Sequence, residues 1–197
     1  IAHIAKTANW DNLIGGNVSL NNVSVEEKTE FGRYLIGMGA KDGKIKLTPF
    51  LLNDQNLRTF LADLTYPVYT NTNFDKLSIP FRAIATDIVN GKEVVLDKGD
   101  LAFAMRASMS IPGAFIPVPY ENTLLIDGGV LNNFPVDVAK KWNVDYIIGS
   151  DVGGGMEPKE KLDNITTLLF QTGMLHSNLK NPENWALCDI LIDHTSY

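Results

Sequence analysis

Residues 124–139 read LLIDGGVLNNFPVDVA, and this stretch decides the fold. Leu124 to Asp127 have the apolar density of a buried strand, closed by a carboxylate. Gly128 and Gly129 follow at once, where the lack of a side chain lets the backbone turn sharply and lets another segment approach closely. Asn132, Asn133 and Pro135 then lead into a helical FPVDVAKKW. Strand, tight turn and helix form the repeating step of an α/β protein.

Working outward, the same alternation continues. YIIGSDV (146–152) reads as a strand running into Gly153–Gly155, ITTLLFQTGMLHSNL (165–179) as an amphipathic helix, and CDILID (188–193) as a last strand. On the other side, Asp100 is placed to cap LAFAMRASMS, a helix stopped by Pro112. The run from Phe81 to Ile88 is another buried strand, and Asn90-Gly91 turns it into EVVLD. Asp54 is a cap candidate for NLRTFLADLT, with Leu57, Phe60, Leu61 and Leu64 on one side. FGRYLIGM and IKLT, joined through Lys41-Asp42-Gly43-Lys44, read as a hairpin. IAHIAKTANW has helical spacing and ends near Trp10-Asp11, before Gly15-Gly16 and an Asn-rich loop. The expected architecture is a layered α/β/α fold with a mostly parallel central sheet, mixed where the hairpins of the first half add antiparallel strands. No repeat or low-complexity tract divides residues 1–197, so one domain is expected.

Composition excludes several function classes. Hydrophobic residues make up 45% and charged residues 20% of the 197, ordinary for a globular domain. A net charge of -6, with no basic run longer than Lys140-Lys141, argues against a nucleic-acid partner, because phosphate binding needs clustered Lys and Arg. The lone Cys188 leaves no internal disulfide and no Cys/His zinc cluster, and its apolar setting reads as an inert thiol. No apolar run reaches the roughly eighteen residues a spanning helix needs. The chain opens within an amphipathic helix rather than at Met, which reads as a fragment that continues upstream.

Four places carry candidate chemistry. Asp127 ends a strand, where ligands of open α/β sheets bind; on spacing alone, a plain turn with a capping Asp is the better reading. GSDVGGG sets Asp151 before three glycines, but it matches neither G-x-G-x-x-G nor a P-loop, and a bare glycine loop is a weak nucleotide signal. Ser108 and Ser110 lack the flanking glycines of a G-x-S-x-G elbow, as does every other serine, and read as helix-end or backbone-bonding residues. His176 and His194 follow Asp127 in the order a Ser-Asp-His triad permits, yet order is their sole qualification.

The blocks around Asp127 narrow these readings. IPFRAIATDIVNGKEVVLDKGDLAFAMRASMSIPGAFIPV and LLIDGGVLNNFPVDVAKKWNVDYIIGSDV resemble, element for element, the middle of the bacterial patatin-like phospholipase family. The resemblance extends over most of residues 1–155, and Asp-Gly-Gly joined to RASMSIPGAF and NNFPV makes it specific. It implies a lipid acyl hydrolase with a Ser–Asp dyad. Asp127 carries over as the general base, and Gly128 and Gly129 complete its motif. The family's serine elbow and oxyanion loop match nothing in this chain, which is then an incomplete catalytic domain, inactive alone. No metal or organic cofactor is implied. The implied partners are a lipid ester or membrane surface and the absent N-terminal segment itself, and the compartment stays open between bacterial cytoplasm and envelope. Phe115, Ile116 and Leu131 are core residues or acyl-site lining. A non-catalytic lipid-binding relative of the same fold is the alternative.

Overall fold

The computed structural model describes residues 2–14, 38–41, 44–47, 54–142, 144–163 and 165–194. Helices α1 (Ala2–Thr7) and α2 (Trp10–Ile14) open it. The spacing predicts one helix here; Asn9 splits it, because its Oδ1 accepts the Asn12 N–H at 3.0 Å and caps a new helix. Strands β1 (Met38–Lys41) and β2 (Lys44–Leu47) pair antiparallel, as the hairpin reading expects. The expected hairpin residues 31–37, the turn at Asp42-Gly43, and Gly15-Gly16 with the Asn-rich stretch lie outside the described residues.

Helix α3 (Gln55–Thr65) buries Leu57 and Leu61. Asp54 precedes it but makes no side-chain cap. Its Oδ2 is taken by Arg58 and Arg106, each Nε at 2.7 Å. Two charge-assisted bonds outcompete a backbone N–H for the same oxygen.

The main sheet holds β3 (Ala83–Asp87), β4 (Lys92–Leu96), β5 (Val118–Tyr120) and β6 (Thr123–Asp127) in the order β4-β3-β6-β5. All three pairings are antiparallel. The α/β class holds, but the mostly parallel central sheet does not: among the described residues the four-stranded sheet is wholly antiparallel. The cause is local. Turns such as the one at Gly91 (φ 64°) and the one at Glu121 (φ 49°) return the chain within a few residues, and so short a link can only make an antiparallel pair. Pro119, which cannot donate to a ladder, sits on the edge strand β5.

Helix α4 (Leu101–Ser108) covers one face of this sheet. Its N-terminus is capped as expected, with Asp100 Oδ1 accepting the Phe103 N–H at 2.7 Å. Ala104 and Ala107 pack on Ala83, Ala85, Leu125 and Val118, and these small side chains let helix and sheet approach closely. The opposite face meets the one-turn helix α5 (Gly129–Asn132), which contacts β3 and β4. Beyond it lie α6 (Val136–Lys140), β7 (Ile148–Asp151), α7 (Ile165–Trp185) and β8 (Ile190–Asp193). Strands β7 and β8 are parallel, joined through α7 as a βαβ unit.

Helix α7 departs from the amphipathic reading. Its buried residues are polar (Ser177, Asn181 and Asn184), while Leu168, Leu169, Phe170, Leu175 and Leu179 are exposed. The stripe at positions 177, 181 and 184 lies on one face of the helix, and the helix rests on α5. There Asn184 finds amide and carbonyl partners instead of apolar ones.

Candidate active site

Asp127 ends β6 opposite Ala85 of β3. Its backbone N–H donates to the Ser110 carbonyl at 2.9 Å, which ties the strand end to the segment after α4. Its side chain turns back on its own loop, and Oδ1 accepts the Gly129 N–H at 2.7 Å. No described residue makes a hydrogen bond to Oδ2. Burial pushes the Asp127 carboxyl above the usual carboxylate range, and the Gly129 N–H pulls the other way without cancelling the effect.

Both glycines sit in close quarters, Gly128 against backbone and Gly129 against side-chain ends. A Cβ on Gly128 would stand 2.3 Å from the Ile84 carbonyl oxygen on β3. A Cβ on Gly129 would meet Asn133 Oδ1 at 2.7 Å and Asp127 Oδ1 at 3.0 Å. The triplet is therefore a close approach of loop to strand, built around a half-buried carboxylate.

A cleft of about 430 Å³ opens over this loop. Asp127, Gly128, Gly129, Asn132 and Asn133 line it. Its apolar wall comes from Phe81, Ile84, Met105 and Met109, and Arg82 also lines it. The Arg82 guanidinium is engaged: Nη2 lies 2.6 Å from Asp75, and the group stacks 4.6 Å over the Trp142 ring.

The other sequence candidates fall elsewhere. Ser110 is fully buried; its hydroxyl donates to the Arg106 carbonyl at 2.9 Å and accepts from Arg106 Nη1, the backbone-bonding role expected of it. Ser108 lines the cleft. Neither His176 nor His194 does; His194 Nε2 is 3.1 Å from the Ser150 hydroxyl. Phe115 is core beneath the Arg106 guanidinium, Ile116 is exposed, and neither they nor Leu131 line the cleft. Cys188 lies against Gly149, and burial pushes its thiol up.

Asp151 repeats the local geometry of Asp127: its Oδ1 accepts the Gly153 N–H at 2.8 Å. The difference is in the second oxygen, which Trp185 Nε1 occupies at 2.7 Å. Of two carboxylates at strand ends with the same turn, Asp151 is committed on both oxygens and Asp127 on one. Among the described residues, no group of three or more His, Cys, Asp or Glu is arranged to hold a metal ion, and no helix is long and apolar enough to cross a membrane.

Sequence reasoning did not find the network behind the loop. Asn132, 2% exposed, donates through Nδ2 to Glu93 Oε2 at 2.5 Å and to Asp137 Oδ1 at 2.9 Å. Its Oδ1 accepts from Asn184 Nδ2 at 3.1 Å. Lys180 Nζ lies 3.0 Å from Asp137 Oδ2 and 3.8 Å from Glu93 Oε2. The signal available in the sequence was the Asn132-Asn133 pair after the glycines.

Fold and site define an α/β domain with a half-buried carboxylate at a strand end, facing a partly apolar cleft. Residues 8–140 match the family model of the patatin-like phospholipases, and the chain belongs to that family. It is 34% identical over 104 residues to an "Uncharacterized NTE family protein" of Mycobacterium tuberculosis, covering 53% of this chain and 28% of that protein. A second protein of that description from the same species is 29% identical over 167 residues, covering 77% of this chain and 28% of its own length. Mouse "Patatin-like phospholipase domain-containing protein 7" is 36% identical over 111 residues, covering 47% of this chain and 8% of the mouse protein. The chain thus spans under a third of the length of these relatives.

Proposed function

We propose that this chain supplies the base-bearing half of a lipid acyl hydrolase, with Asp127 as general base for a serine outside residues 1–197. The observation that carries this reading is the Asp127 carboxylate itself. It lies in a cleft, its pKa is raised by burial, one oxygen is held by the Gly129 N–H and the other is bonded by no described residue. An Asp near its usual pKa of about 3.9 is a weak base at neutrality, and burial strengthens it.

In the reaction, Oδ2 of Asp127 takes the proton of the serine hydroxyl as Oγ attacks the ester carbonyl. The tetrahedral oxyanion collapses, the carbon–oxygen bond to the lipid alcohol breaks, and the alcohol leaves with the proton from Asp127. Water then repeats the sequence on the acyl-enzyme, releasing the fatty acid and restoring serine. Phe81, Ile84, Met105 and Met109 offer an acyl chain an apolar wall. Apolar residues left exposed on α7 and on the β7–β8 pair support a seat for further polypeptide of the same protein, the piece that would bring the serine. The substrate partner is a lipid ester at a membrane or aggregate surface.

The test is Asp127→Asn in the whole protein, assayed on a short-chain p-nitrophenyl ester and on phospholipid vesicles. Loss of a general base lowers kcat by roughly 10²–10⁴-fold. Near-normal turnover removes Asp127 from the mechanism. A fluorophosphonate probe that labelled a serine within residues 1–197 would equally overturn the reading.

A further inference from the structure

We propose that Asn132 is a positioning residue, holding the Asp127 carboxylate in the cleft by clamping the far end of its loop; this rests on the base reading above. The α5 turn is the link between the two residues. Four residues cannot hold a helical turn unaided, yet this turn connects Asp127 to the rest of the domain. Its first end is tied by the bond from the Gly129 N–H to Asp127 Oδ1. Its second end is Asn132, whose backbone N–H donates to the Gly128 carbonyl at 2.8 Å. Any movement of Asn132 therefore passes to the peptide next to Asp127.

The side chain of Asn132 fixes that second end to three elements. One amide hydrogen goes to Glu93 on β4 and the other to Asp137 on α6, while its oxygen accepts from Asn184 on α7. Asn184 spends its second amide hydrogen on the Phe134 carbonyl at 2.7 Å. Both amide hydrogens of Asn132 are thus used, and both go to carboxylates, the stronger kind of bond. Lys180 stands beside the same two carboxylates and balances them. Of the polar residues buried on α7, Asn184 belongs to this arrangement, whereas Ser177 bonds the Met174 carbonyl of its own helix at 3.0 Å. Neither Asp nor Leu would serve at position 132: Asp adds a third carboxylate beside two, and Leu leaves the Asn184 donor unpaired.

The test compares wild type, Asn132→Ala, Asn184→Ala and Asp127→Asn in the whole protein, by kcat, KM and the acid limb of the kcat/KM–pH profile on p-nitrophenyl butyrate. Misplacement of a reacting group by about 1 Å costs roughly 10²-fold. Asn132→Ala is expected to lose kcat on that order with KM little changed. Its acid limb moves to lower pH as the loosened carboxylate gains water. Asn184→Ala, which leaves both carboxylate contacts, shifts each quantity the same way by less, and serves as the test if Asn132→Ala does not fold. A purely structural role predicts a lower melting temperature with kcat per folded molecule and acid limb unmoved; that result overturns the proposal. The two readings fail differently. Near-normal turnover in Asp127→Asn ends the base reading and this proposal with it, whereas an inactive Asp127→Asn beside a fully active Asn132→Ala overturns the clamp alone.

Discussion

Adding one methyl group at each of two adjacent glycines should separate stability from activity. In Gly128→Ala the new Cβ stands 2.3 Å from the Ile84 carbonyl oxygen and 2.5 Å from its carbon, against ordinary contact from 3.4 Å. Loop and strand must therefore part by about 1 Å. Ile84 cannot yield easily, since β3 is paired with β4 on one side and β6 on the other. Overpacking against backbone costs about 1–3 kcal/mol, and a fixed strand puts this case at about 3. For a domain of this size, that lowers the melting temperature by roughly 6–12 °C.

Gly129→Ala meets side-chain ends only: Asn133 Oδ1 at 2.7 Å, Asp127 Oδ1 at 3.0 Å and Met174 Cε at 3.0 Å. These can move, and Ala in a helical turn is favoured over Gly by about 1 kcal/mol, so the expected melting temperature lies within roughly 3 °C of wild type. The group that moves includes the Asp127 carboxylate, so kcat on p-nitrophenyl butyrate falls by at least roughly 10-fold. Circular dichroism melts and initial rates on the two variants give the comparison. If Gly128→Ala melts like wild type, or if Gly129→Ala is the less stable and fully active one, the close approach described above is wrong.

Three further outcomes are expected. A carboxyl raised by burial favours the fold while protonated, so its contribution is complete below the unfolded Asp pKa and is lost as pH rises through the folded value. Asp127→Asn should accordingly be more stable than wild type at neutral pH, with the gain gone in acid; chemical denaturation at two pH values measures it, and an equal gain at both refutes it. Arg106 is 3% exposed and bonds Asp54 and Ser110, so Arg106→Leu leaves the half-buried Asp54 to Arg58 alone and takes a donor from the buried Ser110 hydroxyl, and should cost about 1–3 kcal/mol, whereas the half-exposed Arg58→Ala should cost under about 1 in the same urea titration. The buried Thr86 hydroxyl has no hydrogen-bond partner among the described residues, so Thr86→Val should raise stability by about 1 kcal/mol, and a lower melting temperature would show that the hydroxyl is satisfied.

What was legible in the sequence was what neighbours in sequence decide. Asp100 capping, the Asn90-Gly91 turn and the strand ending at Asp127 all depend on residues within a few positions, and all stand as read. Asp54 has the right spacing for a cap too, but its oxygen goes to Arg106, 52 residues away, which no local rule sees. The polar face of α7 is hidden for the same reason: Asn184 is buried because Asn132, also 52 residues away, receives it. Asp127 itself was ambiguous by spacing, a turn or a base. Asp151 makes the point, since the same turn chemistry there ends in a carboxylate bonded on both oxygens. Only the position of Trp185 distinguishes them, and that is a tertiary fact.

The turn from Asp127 to Asn132 has a consequence for how this segment can vary through descent. Both anchors are specified by angle as well as by identity, because one helical turn separates them. Val130 and Leu131 are half-buried and hold neither anchor, so replacement there disturbs neither end. A single inserted residue is another matter. It would swing Asn132 by about 100° around the helix axis and carry its amide away from both Glu93 and Asp137. The interval is therefore a fixed length of chain, free to drift in letter and closed to gaps.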